Sequence, residues 1–159
     1  MSKPVWYSTS NPSEIQACLA VLKPEVGCDI ETDGLNPLTA NIVCMCIADG
    51  DRVIVIDPWI PSQHAPLLTE AFASRTVVFH NGPNFDLIAL ERDGVVFGKV
   101  EDTLIAAHSF ASHFPLKLDQ QVSTFCDSGP WKIEVGMRES AGEKGAHLPH
   151  NLPPETRDR

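Results

Sequence analysis

Apolar residues first fall into a helical rhythm at Ile15, Cys18, Leu19 and Leu22, three to four apart as one face of an α-helix requires. Asn11-Pro12-Ser13-Glu14 opens the stretch with a capping side chain, a proline in the first turn and an acid three residues past the cap. Pro24 ends it at Lys23, because the residue before a proline is pushed out of the helical region. Ahead of this helix, residues 6–10 read as a short extended or turn segment. After it the period changes. Polar and apolar residues alternate through Gly27-Cys28-Asp29-Ile30-Glu31, which predicts a strand with Cys28 and Ile30 on one face and Asp29 and Glu31 on the other.

Turn-forming residues fill 36–41, and 42–48 is an apolar run of strand length. Asp49-Gly50 is a hairpin signal, so 52–57 returns as the partner strand and the acidic strand heads an antiparallel meander. Leu67, Leu68, Ala71 and Phe72 predict a helix over 63–74, followed by an apolar strand over 77–81. A helix between two strands is a crossover, which makes that strand a parallel neighbour of the acidic one. Residues 84–92 predict a helix with Asp86 in its first turn and Asp93-Gly94 as its stop. An extended segment over 95–100, a helix over 104–111 capped by Asp102, and a shorter helix over 116–125 complete the pattern. Periodicity fades from Asp127. The expectation is therefore one α/β domain over residues 1–126, a mixed sheet with antiparallel then parallel strands flanked by helices, and an irregular or disordered tail over 127–159.

At 159 residues with 43% hydrophobic residues the chain can bury a core of its own. No apolar run approaches the roughly 20 residues that span a bilayer, and the N-terminus lacks a secretory pattern, so a soluble protein with no membrane partner is expected. The five cysteines form no C-x-x-C pair and sit mostly in apolar stretches, as buried thiols of a reducing compartment do. Cys44 and Cys46 share a strand face, but a zinc site would need a second ligand pair. The net charge of −9 argues against a general nucleic-acid coat. It leaves room for a nucleic-acid enzyme whose carboxylates carry divalent cations.

Asp29, Glu31 and Asp86 are the chemistry-bearing residues of this pattern. Carboxylates side by side repel one another, and a divalent metal relieves that repulsion; oxygen-only ligands suit Mg²⁺ or Mn²⁺. The plain alternatives are a strand edge in solvent for the first two and an ordinary helix N-terminal acid for the third. His80, at a strand end, reads as a hydrogen-bonded structural residue.

Asp29-Ile30-Glu31 resembles the first motif of the DEDD 3′–5′ exonucleases, which share an RNase H-like fold. Asn81, three intervening residues and then Phe85-Asp86 resemble the second motif, and Asp102-Thr103-Leu104 resembles the segment that follows it in the exonuclease domains of family A, often phage-encoded, DNA polymerases. The resemblance covers about residues 5–125 and implies a proofreading-type exonuclease acting on single-stranded DNA 3′ ends, with RNA kept open. It implies two divalent cations, Mg²⁺ or Mn²⁺, held by catalytic Asp29, Glu31 and Asp86, and a terminal nucleotide flanked by Thr32 to Leu35, Asn81 and Phe85. It also implies a DNA polymerase domain as a candidate neighbour and a cytoplasmic setting in a bacterium or phage-infected cell. The family's third motif, Tyr with Asp four residues on or His with Asp five on, is not found: Tyr7 stands too early. Residues 152–159 resemble the approach to it, so the chain is expected to be truncated or to come from a split reading frame and its exonuclease activity to be impaired by that truncation, with Asp158 as the alternative fourth ligand. The competing function is a catalytically inactive nucleic-acid-binding or structural domain. An RNase H-like endonuclease is disfavoured by the Asn81 to Asp86 spacing.

Overall fold

The alternation around Asp29 is the centre of the architecture. In the computed structural model, which describes residues 4–110, 112–113 and 116–126, it becomes β2 (Glu25–Thr32), the longest strand among the described residues, set inside a six-stranded mixed sheet with one antiparallel and one parallel neighbour. The chain order is β1 (Val5–Thr9), α1 (Pro12–Ala20), β2, β3 (Ile42–Ala48), β4 (Arg52–Ile56), α2 (Pro61–Phe72), β5 (Thr76–Phe79), a 3-10 turn (Gly82–Asn84), α3 (Asp86–Arg92), β6 (Lys99–Asp102), α4 (Thr103–Phe110) and α5 (Leu118–Phe125). The sheet order is β1-β4-β3-β2-β5-β6. The chain divides into two compact units at Thr103. The sheet, α1, α2 and α3 belong to the first; the second holds α5 and all but the first residue of α4, with Ala107 and Gln121 buried.

The meander of β2, β3 and β4 is antiparallel, and its second turn closes with Asp49 N–H donating to the Arg52 carbonyl while Gly50 takes a positive φ of 87°. The crossover through α2 sets β5 parallel to β2, with Gly27 level with Val78. Val26, Cys28 and Ile30 of β2 enter a core shared with Ile15 and Leu19 of α1, Leu68 and Phe72 of α2, and Ala89 and Leu90 of α3. Asp29 and Glu31, between them, are exposed.

Three boundaries differ from the sequence reading. Residues 5–9 form an edge strand parallel to β4, where an extended or turn segment was expected. Helix α1 stops at Ala20, short of the expected end at Lys23: Val21 and Leu22 N–H turn to the Cys18 and Leu19 carbonyls, and the guanidinium of Arg75 donates to the carbonyls of Leu19, Leu22 and Lys23. Strand β6 runs over Lys99–Asp102, later than the extended segment expected over 95–100, and just before it Gly98 lies so close to the backbone of Ala73 that a Cβ there would overlap its carbonyl oxygen. Among the described residues no helix is long and apolar enough to cross a membrane. The expected tail over 127–159, with Asp158, lies outside the described residues.

Candidate active site

Strand β2 outruns its parallel neighbour. Pairing with β5 ends at Gly27, so the second half of β2 has an open edge where backbone amides need other acceptors. Asp86 supplies one: its Oδ1 accepts from Ile30 N–H at 3.3 Å. It can do so because α3 starts directly beyond the carboxyl end of β5, the edge at which parallel α/β sheets gather functional groups. Asp86 is thereby brought beside Asp29. Burial first, and then the charge of Asp29, push the Asp86 carboxyl up to about 6, against backbone hydrogen bonds that pull it down; Asp102 adds a smaller upward push.

Glu31 shares the exposed face of β2 with Asp29, two residues on. The β2–β3 register adds what spacing did not show: Cys46 lies opposite Asp29 and Cys44 opposite Glu31. Burial raises both thiols to about 11, with Asp29 the next contributor for Cys46, and Asp57 followed by Glu31 for Cys44. Cys28, on the buried face, is raised well above its usual value by burial and then by Asp86 and Asp29. These thiols therefore stay protonated near neutrality. Asp57 and Asp102 are the acids of this region that the sequence reading did not place there; the antiparallel β3–β4 register and the parallel β5–β6 register bring them in.

The other predicted residues border this face. Thr32 Oγ1 donates to the Gly34 carbonyl at 2.7 Å. Asp33 closes the following loop on Asn41 through backbone and side chain, both at 2.7 Å. Arg92 of α3 holds the same loop by the carbonyls of Pro37 at 3.0 Å and Ala40 at 2.6 Å. Leu35 is thus presented on a tethered loop, 96% exposed. Asn81 adopts the left-handed conformation with φ 66°, and its side-chain oxygen accepts from Asn84. Phe85 is half-buried and packs against the core.

Among the described residues, no three His, Cys, Asp or Glu side chains are grouped so as to hold a metal ion. The donor chemistry of the acids nonetheless fits a hard divalent cation. Asp29 and Asp86 offer carboxylate oxygens whose mutual repulsion a cation would remove, and the neighbouring thiols are held protonated.

The fold is that of known nucleases. The catalytic core of RRP6 from Trypanosoma brucei superposes with a TM-score of 0.67 at 22% identity over 80% of this chain. Brucella melitensis NrnC with bound Mg²⁺ gives 0.62 at 25% identity, and NrnC bound to pGG gives 0.59 at 26%, each over 80% of this chain. The chain spans 37% of the RRP6 core and 64% and 63% of the NrnC chains. None of the curated proteins matches it significantly. The match to the 3′–5′ exonuclease family model runs over residues 7–150, with both of the quoted motifs and all of the RNase H-like sheet but the first two residues of β1 inside it, and the chain belongs to that family.

Proposed function

We propose that the chain removes 3′-terminal nucleotides from single-stranded ends, DNA in the first instance, as the exonuclease part of a proofreading system with a DNA polymerase as partner. The observation that carries the reading is the pairing of Asp29 with Asp86 at the open edge of β2, where burial and then the charge of Asp29 raise the Asp86 carboxyl to about 6. Asp29, Glu31 and Asp86 would hold two divalent cations, Mg²⁺ or Mn²⁺, which supply a water of lowered pKa and neutralise charge at the leaving 3′ oxygen. The protein contributes position. Thr32 and Leu35 on the tethered loop, with Asn81 and Phe85 at the turn before α3, would flank the terminal nucleotide, Leu35 offering apolar surface to its base. NrnC has been seen with Mg²⁺ and with pGG, which supports a cation-dependent site taking a terminal nucleotide.

A second reading, a catalytically inactive nucleic-acid-binding or structural domain, draws support from the lack of an assembled three-ligand group among the described residues. The two separate on one experiment. Incubation of 3′-labelled single-stranded DNA and RNA with the chain and Mn²⁺ or Mg²⁺ should release mononucleotides, and Asp29→Asn should stop it. Binding of the oligonucleotide without release, unchanged in Asp29→Asn, would favour the inactive reading; faster release from RNA would correct the substrate.

A further inference from the structure

The turn that delivers Asp86 is held from behind by two consecutive residues. Strands β5 and β6 end level, Phe79 opposite Asp102. The chain then reverses through His80, Asn81 and Gly82. Asn81 takes a left-handed φ of 66°, a conformation rare for residues with a Cβ, though Asn adopts it more readily than most. A Cβ on Gly82 would stand 2.5 Å from Cβ of Phe79, so the turn is as tight as glycine allows.

Within the turn, Gly82 N–H donates to Asp102 Oδ2 at 2.8 Å, and Asp102 is buried to 9% exposure. A hydrogen bond to a buried carboxylate is among the stronger ones a backbone amide makes. Thr103 takes the neighbouring groups. Its Oγ1 donates to the Phe79 carbonyl at 3.2 Å and lies 2.8 Å from His80 Nδ1. The hydroxyl has one hydrogen, so when it goes to Phe79 it is His80 Nδ1–H that donates in the second contact. Two adjacent side chains thus fix Phe79, His80 and Gly82, and Asp86 opens α3 just beyond the turn.

We propose that Asp102 and Thr103 are positioning residues for the Asp86 carboxylate, setting where it stands relative to Asp29. The inference rests on the reading of Asp29, Glu31 and Asp86 as cation ligands. The charge of Asp102 also reaches Asp86, consistent with their closeness. A cation held by acids from two elements tolerates displacements of only about 0.5 Å before affinity falls. A latch that acted on stability alone would leave the affinity of the folded protein untouched.

The test is Mn²⁺ binding to the whole chain, read by calorimetry and by the Mn²⁺ paramagnetic resonance signal well below the melting temperature. Hydrogen exchange of the Gly82 amide is followed in parallel. Asp102→Asn keeps an acceptor oxygen and Thr103→Ser keeps the hydroxyl, so both should bind Mn²⁺ within about twofold of the parent. Asp102→Ala and Thr103→Val should weaken it by about tenfold or more, the usual consequence of losing a group that orients a metal ligand, and Gly82 should exchange faster in Asp102→Ala. Should Asp102→Ala fail to fold, Thr103→Val decides alone. Folded Asp102→Ala and Thr103→Val proteins with parental Mn²⁺ affinity would overturn the proposal. Asp29→Asn is the control: if it binds Mn²⁺ as the parent does, the ligand assignment itself falls, and the latch proposal with it.

Discussion

Asp86 Oδ1 accepts the backbone N–H of Ile30 across 56 residues of chain, at 3.3 Å. That one contact ties the helix after β5 to the open edge of β2, and it sets a carboxylate among groups that oppose its charge. Burial and Asp29 raise the Asp86 pKa, and the hydrogen bonds from its own and Ile30's amide do not offset them. The strain is electrostatic and local, so a cation or a proton relieves it.

A pH prediction follows from the sign of that shift. The folded protein holds a proton on Asp86 up to about 6 while the unfolded chain releases it near 3.8. Stability from this group is therefore present below about pH 4 and lost as pH rises through 6. At pH 7.5 in EDTA, Asp86→Asn should melt higher than the parent, by on the order of 1 kcal/mol once solvent screening of a half-buried group is allowed for. With Mn²⁺ present the order should reverse, since cations that bind only the folded acids stabilise the parent by mass action. A lower melting temperature for Asp86→Asn in EDTA at pH 7.5 would sink this account. Proton and cation also compete, so the parent's Mn²⁺ affinity should fall as pH drops through 6.

The faces of β2 predict a contrast between adjacent positions. Ile30 is buried in the core and Glu31 is exposed. Ile30→Asp replaces about 1.5–3 kcal/mol of burial with a desolvated charge and should unfold the first unit, whereas Glu31→Gln should change stability by less than about 0.5 kcal/mol without metal. Thermal melts of the two variants in EDTA check this. Similar melting temperatures would mean that the strand faces are assigned wrongly.

How far the sequence revealed this fold depends on how local each determinant is. The α1 start, the turn at Asp49-Gly50 and the period-two pattern of β2 are written in neighbouring residues, and Asn11 Oδ1 does accept from Ser13 N–H. Strand β1 was not legible because its residues are exposed on both faces except at its end, leaving no alternation to read. The early end of α1 has no local signal, since the guanidinium that meets the Leu19 and Leu22 carbonyls comes from Arg75, just after α2 and 56 and 53 residues along the chain. The acids of the candidate site stand out in the sequence as motifs. What was not legible is the company they keep: Cys46 opposite Asp29 is a matter of register, and Asp102 reaches Gly82 across 20 residues.

Two glycines that look alike in sequence should behave differently. Gly94 has φ 97° with nothing near its missing side chain, so Gly94→Ala carries a conformational cost of about 1–2 kcal/mol. Gly98 has no such φ, yet a Cβ there would overlap the Ala73 carbonyl oxygen. Backbone must then move, or β6 must lose its seat beside α2. Gly98→Ala should accordingly cost more than Gly94→Ala, by denaturant unfolding of the two variants. The reverse order would show that the contact with Ala73 yields easily.

The last prediction concerns how substrate phosphates are held. Every Lys and Arg described in the first unit is engaged. Lys23 pairs with Asp51 at 2.7 Å, Arg52 with Asp49 at 2.9 Å, Arg92 with Asp93 at 2.8 Å and Lys99 with Glu101 at 2.6 Å. Arg75 donates to four backbone carbonyls. A long strand gains affinity by displacing counterions at such side chains, and each phosphate contact steepens the salt dependence. With these cations occupied, the grip on a substrate should come from bound divalent cations and the terminal nucleotides. In Mn²⁺, the apparent affinity for 3′-labelled strands should therefore change little between about 4 and 20 nucleotides, with a log–log salt slope shallower than about −2. Affinity that climbs with length along a steep slope would locate the phosphate contacts on cations outside the first unit and refute recognition by the strand end alone.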